Sequence, residues 1–373
     1  DTGAMAAPSN DVDDGALVLM DVDLDGRLDL ITDTQDGLVL LFGDEDEDFG
    51  SPVALPGPNP IDPALFALDF TGDGVPDLGA NNLDEFLIWA HDGVGNLQAP
   101  YSVPLPTFSL AAWAGDLDHD GVADVISVST SSAHVFLNDG HGDFAGLPEF
   151  VSVNLAGVSA GELTGDGHLD ALVTASNPNG AGYELRVYAG DGAGGFSLFS
   201  STPIQQSPHV PHIPRRPAQL ADLDGDGDLD ASLAVSDTFL GAAVALNDGA
   251  GQFAAPVFLD VLYGSAFVRV ADVNDDGVPD LLALRDDDQD SVYWRGCALS
   301  ILLGDGDGSF QEERRVCVGP APVRVAVADV DGLGQADLVV SAPKLSAVGV
   351  IHAERDGGLY DGSTVRSDVG DWS

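Results

Sequence analysis

The chain is poor in positive charge. It carries 13 Lys and Arg against 62 Asp and Glu, a formal net charge of −49 over 373 residues. Nucleic-acid backbones and bare anionic membranes are bound through basic patches, so the composition speaks against both partners. Cysteine is scarce too. Cys297 and Cys317 are the whole complement, which limits the chain to one internal disulfide. No apolar run is long enough to span a membrane. No Asn-x-Ser/Thr acceptor occurs, and no stretch shows the period of a long amphipathic helix. Signals for an enzyme are equally thin. His209 and His212 stand three apart with no third ligand nearby, and the Gly-rich segments lack the Lys-Ser/Thr of a phosphate loop.

What the chain does have is an acidic nine-residue pattern, Asp-x-Asp-x-Asp-Gly-x-x-Asp. It begins at Asp21, Asp69, Asp116, Glu162, Asp222, Asp272 and Asp329, seven copies spaced 46 to 60 residues apart. A recurrence of this length signals a repeat architecture. Oxygen ligands at positions 1, 3 and 5 converge, position 7 offers a backbone carbonyl, and position 9 closes the shell. Such a flexible oxygen cage suits Ca2+. The predicted ligand set is Asp21, Asp23, Asp25, Arg27 and Asp29 in loop 1, and Asp69, Thr71, Asp73, Val75 and Asp77 in loop 2. Loop 3 offers Asp116, Asp118, Asp120, Val122 and Asp124; loop 4 offers Glu162, Thr164, Asp166, His168 and Asp170. Loop 5 offers Asp222, Asp224, Asp226, Asp228 and Asp230; loop 6 offers Asp272, Asn274, Asp276, Val278 and Asp280. Arg27, Val75, Val122, His168, Asp228 and Val278 enter through their carbonyls alone.

Two carboxylates about 4 Å apart repel by roughly 4 kcal/mol at an effective dielectric of 20. Net domain stability is only about 5–15 kcal/mol. A divalent cation in each of about six loops is therefore expected to be part of the fold. Thr71, Thr164 and Asn274 at position 3 predict weaker sites. Leu333 at position 5 predicts a plain turn in loop 7. An EF-hand is set aside, because position 12 lacks Glu and β-type runs flank the loops, as in Leu17-Val18-Leu19-Met20 and Leu28-Asp29-Leu30-Ile31.

A second motif follows each loop by 20–30 residues. It reads Asn138-Asp139-Gly140-His141-Gly142-Asp143-Phe144 in the third repeat, with relatives at Gly43–Phe49, His91–Leu97, Gly190–Phe196, Asn247–Phe253, Gly304–Phe310 and Glu354–Tyr360. Gly and Asp supply the positive φ of hairpin turns, and the aromatic opens the returning strand. Each repeat thus predicts four antiparallel strands, and seven repeats predict an all-β, seven-bladed propeller. The acidic loops join strands one and two. The Gly-rich turns join strands three and four, on the same face of the ring.

These features resemble the FG-GAP/VCBS repeats, and specifically the propeller of integrin alpha subunits. Tyr263-Gly264 falls where that family has Phe-Gly, and Ser341-Ala342-Pro343 where it has Gly-Ala-Pro. The resemblance covers residues 16–370. It implies calcium in the acidic loops and recognition on the opposite face. Sugar-binding propellers and propeller lyases share the architecture, so a lectin is the first alternative and a polysaccharide lyase or hydrolase the second.

Residues 1–15 are read as a lead segment or closing strand and 16–373 as one propeller. Residues 363–369 are the rival closing segment. The midpoint of Cys297 and Cys317 is residue 307, inside the Gly304–Phe310 turn, so a hairpin centred there would pair them as a disulfide. A disulfide and calcium loops point to an extracellular or cell-surface setting, with no signal segment present in this chain. The expected module is monomeric and binds a protein or a glycan. Two long connectors, near Ser200–Pro217 with His209, His212, Arg215 and Arg216, and near Arg285–Gly296 with Tyr293, Trp294 and Arg295, fall on the face opposite the loops. A column three residues before each loop is chemically mixed: Val18, Phe66, Trp113, Ser159, Gln219, Arg269 and Ala326. It is read as inter-blade packing, with a ring at the axial channel as the alternative.

Overall fold

The computed structural model describes residues 17–352 apart from 35, 45–48, 61–63, 107, 152–154, 178–181, 205–216, 236–240, 260, 262–264, 286–298, 317, 319–323 and 343–346. All regular structure in these residues is β. Blade 1 holds β1 (Leu17–Met20), β2 (Asp29–Thr34), β3 (Gly37–Leu41) and β4 (Val53–Ala54). Blade 2 holds β5 (Leu65–Leu68), β6 (Asp77–Asn82), β7 (Glu85–Trp89) and β8 (Tyr101–Pro104). Blade 3 holds β9 (Ala111–Gly115), β10 (Asp124–Val128), β11 (Ala133–Asn138) and β12 (Phe144–Gly146). Blade 4 holds β13 (Leu155–Gly161), β14 (Asp170–Ser176), β15 (Tyr183–Gly190) and β16 (Phe196–Ile204). Blade 5 holds β17 (Gln219–Ala221), β18 (Asp230–Ala234), β19 (Ala242–Ala245) and β20 (Val257–Leu259). Blade 6 holds β21 (Ser265–Ala271), β22 (Asp280–Arg285), β23 (Leu299–Leu302) and β24 (Arg314–Val316). Blade 7 shows β25 (Arg324–Ala328), β26 (Asp337–Ala342) and β27 (Ala347–Ile351).

The seven sheets are antiparallel meanders in sequence order. In every blade the second strand begins at position 9 of the acidic pattern, so the pattern sets the strand boundary. The strands are rich in β-branched and aliphatic residues and bury both faces, because each sheet is covered by a neighbour on either side. Innermost strands touch in ring order, β25 against β1 included. Leu17, Leu30 and Leu41 of blade 1 share a core with Ala326, Val339, Val348 and Val350 of blade 7. That apolar seam joins blade 7 to blade 1. Residues 1–15 and 363–369 lie outside the described residues, as do Cys297 and Cys317 and most of both long connectors. Next to the cysteines, the bridge Gly304↔Phe310 and the pair Leu299↔Val316 differ in register by one residue. The hairpin on which the disulfide expectation rests is therefore not symmetric about residue 307.

The mixed column behaves mainly as packing. Phe66 lies 5.8 Å from Phe86, ring centre to ring centre, and Trp113 is only 2% exposed. Trp113, Ser159 and Gln219 nevertheless also border a cavity of about 700 Å3, lined where β5, β9 and β13 run into their acidic loops, with β17 beside them.

Candidate metal centre

The acidic loops share one backbone. Position 6 is a glycine at positive φ in all seven, from Gly26 at 90° to Gly334 at 85°. Position 4 is left-handed as well, which the sequence pattern does not reveal. It is Gly72, Gly165, Gly225 and Gly332 in four loops, but Leu24, His119 and Asp275 in the others, at φ of 62°, 64° and 59°. Non-glycine residues pay for that conformation, so the loop shape is imposed by what surrounds it.

Position 9 is the anchor. Asp29, Asp77, Asp124, Asp170, Asp230, Asp280 and Asp337 are 0–1% exposed. One carboxylate oxygen accepts the N–H of position 2, from Val22, Phe70, Leu117, Leu163, Leu223, Val273 or Val330, at 2.7–3.0 Å. In blades 1 to 6 the other oxygen accepts the N–H of the residue that opens the Gly-rich turn, from Gly43, His91, Asn138, Gly190, Asn247 or Gly304, at 2.7–2.9 Å. Acidic loop and Gly-rich turn are thus bonded through one buried side chain, on one face of each blade. Burial pushes Asp124 up to about 7 and Asp230 and Asp280 up to about 6, against the lowering effect of these N–H donors. Asp29 and Asp77 are raised for the same reason.

Around the anchor the other candidate ligands gather. Position 1 accepts N–H groups from positions 4 to 6, as Asp116 does from Asp120 and Gly121 at 3.0 Å each. Position 5 accepts the N–H of position 7 at 2.8–3.0 Å, from Arg27, Val75, Val122, His168, Asp228 and Val278. Ligand atoms of Asp21, Asp23 and Asp29 lie within 4.8 Å of one another, as do those of Asp116, Asp118 and Asp124, of Glu162, Asp166 and Asp170, and of Asp222, Asp224 and Asp226. The carboxyls of Asp118 and Asp224 are raised, first by burial and then by neighbouring carboxylates. These triplets leave out Asp25, Asp120 and Asp230, and loops 2 and 6, with Thr71 and Asn274 at position 3, form none. Asp25 is instead paired with the guanidinium of Arg27, whose Nε also donates to the Gly43 carbonyl. The Asn274 amide donates to Asp276 at 2.8 Å. A fifth group of this kind stands in blade 7, where the sequence predicts a plain turn: Asp331, Asp337 and His352.

The turns carry a further device. The residue that opens the Gly-rich turn latches its blade to the one before. Asn138 Nδ2 donates to the Phe70 carbonyl at 2.8 Å and to Ala123 at 3.0 Å. Asn247 Nδ2 reaches Leu163 O at 3.0 Å, and His91 Nε2 reaches Val22 O at 2.7 Å. The acceptor in the preceding blade is position 2 of its loop each time, while Ala123 belongs to the loop of Asn138's own blade. Blades 1, 4 and 6 have glycine instead, and a Cβ on Gly190 would stand 2.1 Å from the Leu169 carbonyl. The signal in the sequence is this Asn, His or Gly choice, which on its own reads only as turn chemistry.

Fold and site together define a class, a seven-bladed propeller with an acidic loop between the first two strands of each blade. The model of the FG-GAP-like repeat matches residues 116–173, 162–233 and 222–283, so the central blades are FG-GAP-like repeats. The chain is similar to a lectin of Agrocybe aegerita that recognises non-reducing terminal N-acetylglucosamine, with 18% identity, a TM-score of 0.61, and coverage of 93% of this chain and 91% of that one. It is similar to BBS1N, solved in complex with ARL6DN, at 12% identity and a TM-score of 0.61 over 92% and 93% of the two chains. A protein from Lactobacillus plantarum aligns at 15% identity and a TM-score of 0.55 over 93% and 94%. At these identities the likeness establishes the fold alone. None of the curated proteins matches the chain in sequence.

Proposed function

We propose that the chain is a calcium-stabilised extracellular binding module, monomeric, that recognises a protein partner on the face opposite its acidic loops. The observation that carries the calcium part is the convergence of carboxylates in loops 3, 4 and 5, which form no ion pair with a basic side chain among the described residues. The donor set is all oxygen, as Ca2+ requires. Loop 4 supplies a specific test of fit. The Thr164 hydroxyl at position 3 is buried beside Glu162, Asp166 and Asp170 and hydrogen-bonds to nothing, which suits a metal ligand. The ion would be held by positions 1, 3, 5 and 9 and would supply charge neutralisation. Six dications would offset only about a quarter of the net charge, so the acidity also serves solubility.

Recognition of a protein is supported by the geometry of the loops. Metal loops and Gly-rich turns use up one face, which leaves the other to the connectors. BBS1N offers a precedent of the same fold in a protein complex. A glycan-binding reading is favoured by the likeness to the Agrocybe lectin and by the cavity bordered by Trp113, Ser159 and Gln219. Against it, Trp89 and Trp113 are 1% and 2% exposed, so neither offers a stacking platform. Asp124, Asp230 and Asp280, the carboxyls raised most, face buried N–H donors rather than that cavity, and the carboxylates that do line it, Asp69, Asp116 and Glu162, are position 1 of their acidic loops, which favours a binding module over a lyase. The discriminating experiment is a glycan array probed with the calcium-loaded chain. A blank array together with saturable binding to a purified protein supports the reading; a defined glycan hit replaces it with the lectin.

A further inference from the structure

Blade 7 departs from its six sisters at two places, one in its acidic loop and one at the end of its third strand. Position 5 is Leu333, which is 50% exposed and supplies no ligand. The second departure lies just past the third strand. Position 10 of each repeat pairs across the sheet with Leu41, Trp89, Phe136, Tyr188, Ala245, Leu302 and Ile351 in turn. The residue after that partner is Phe42, Ala90, Leu137, Ala189, Leu246 and Leu303 in blades 1 to 6. It is apolar every time, and Leu137 and Leu246 pack against Gly194 and Gly308 of the next blade's turn. In blade 7 the same position is His352. Its Nδ1 faces inward, 3.4 Å from Asp337 Oδ1 and 3.7 Å from Asp331 Oδ2.

We propose that the blade 7 loop is a metal site of a different kind, taking a first-row transition-metal dication such as Zn2+ through His352 Nδ1 and the carboxylates of Asp331 and Asp337. The inference rests on the reading that these loops hold dications, and adds that one of them selects its ion by donor type. Two ligands at 2.0–2.1 Å from a tetrahedral ion stand about 3.4 Å apart, the separation of Nδ1 from Asp337. Ordinary N–H···O bonds are shorter, about 2.7–3.2 Å. One acidic oxygen is lost at position 5 and one imidazole is gained, which moves the donor set away from the hard all-oxygen cage of Ca2+. Imidazole with carboxylates suits Zn2+, Ni2+ and Co2+. Asp337 is fixed by the Val330 N–H and Asp331 by the Leu333 N–H, so two of the three ligands are held in place by backbone.

The test is a Co2+ titration of the whole chain in saturating Ca2+, read by visible absorption and by X-ray absorption at the cobalt edge, with bound Ca2+ counted in parallel. One Co2+ per chain, with an imidazole nitrogen in its shell and no loss of Ca2+, is the expected result. His352→Leu, which installs the residue of blades 3, 5 and 6, is expected to weaken Co2+ by about 100-fold or more. Asp118→Ala in blade 3 is expected to leave Co2+ uptake unchanged. His352→Gln repeats the measurement if the leucine variant does not fold. Normal Ca2+ uptake with no Co2+, or Co2+ uptake that survives both His352 variants, overturns the proposal. Co2+ bound through His352 with no Ca2+ elsewhere would uphold this site and remove the calcium reading of the other loops.

Discussion

Loops 3 and 7 have the same backbone and different chemistry. Both hold left-handed residues at positions 4 and 6, His119 and Gly121 in one, Gly332 and Gly334 in the other. Both fold over a buried aspartate, Asp124 or Asp337, that accepts the N–H of position 2 at 2.8 and 3.0 Å. Yet loop 3 gathers Asp116, Asp118 and Asp124, while loop 7 gathers Asp331, Asp337 and an imidazole. The shape of the loop is therefore set by its anchor and by two φ angles, not by the side chains at positions 3 and 5. Side chains at the other positions can change from blade to blade at little structural cost, so near-copies of one loop present different donor sets.

Metal removal should break the comparison most severely. On the calcium reading, chelation exposes the carboxylates of loops 1 to 6 to one another, and several sites act together through mass action. The thermal midpoint in EDTA is expected to fall on the order of 10 °C or more, and an unchanged midpoint in calorimetry would sink structural calcium. The next effect is one of pH. The folded-state values of Asp124, Asp230 and Asp280 lie above the ordinary carboxyl value of 3.8, so the metal-free fold binds protons that the unfolded chain has released. Their contribution to stability is full below about pH 4 and is lost as pH rises through 6 to 7. Metal-free protein should melt several degrees lower at pH 7.5 than at pH 5. A midpoint that rises over that interval in EDTA would contradict the assignment.

Asn138→Ala should follow. It strands two buried carbonyls, Phe70 and Ala123, at the seam of blades 2 and 3. A loss of about 1–3 kcal/mol in denaturant unfolding is expected, whereas Asp139→Ala beside it, on an exposed turn, should cost well under half of that. Equal losses would mean that the latch carries no load. The smallest effect on stability and the sharpest on binding comes from position 3. Asp118→Ala should remove one Ca2+ from the equilibrium count, while Asp331→Ala leaves that count unchanged; equal losses would erase the distinction between the two loops.

Much of the fold is legible in the residues alone. The nine-residue pattern places the start of every second strand, from Asp29 to Asp337, because its carboxylate is the first residue of the ladder. The Gly-rich turns are legible as well, since Asp139 N and Asp143 O close one at 3.2 Å and four others close alike. The column from Val18 to Ala326 reads as packing and mainly packs. Position 4 escapes the pattern because Leu24, His119 and Asp275 carry no mark of a left-handed backbone. Loop 7 reads as a bare turn because His352 is 15 residues beyond its anchoring aspartate and outside the motif.

The sequence by itself determined the number of blades, the order of strands and the position of each acidic loop, since those follow from spacings within nine residues and from a repeat of about fifty. Only the tertiary structure decided that Asn138 reaches Phe70, that Asn247 reaches Leu163, that blade 7 closes on blade 1 through Val339 and Leu17, and that His352 turns toward Asp331 and Asp337. The physical reason is that each of these contacts joins separate strands or blades. Their distances depend on the register of the sheets and the curvature of the ring, and no local run of residues encodes either.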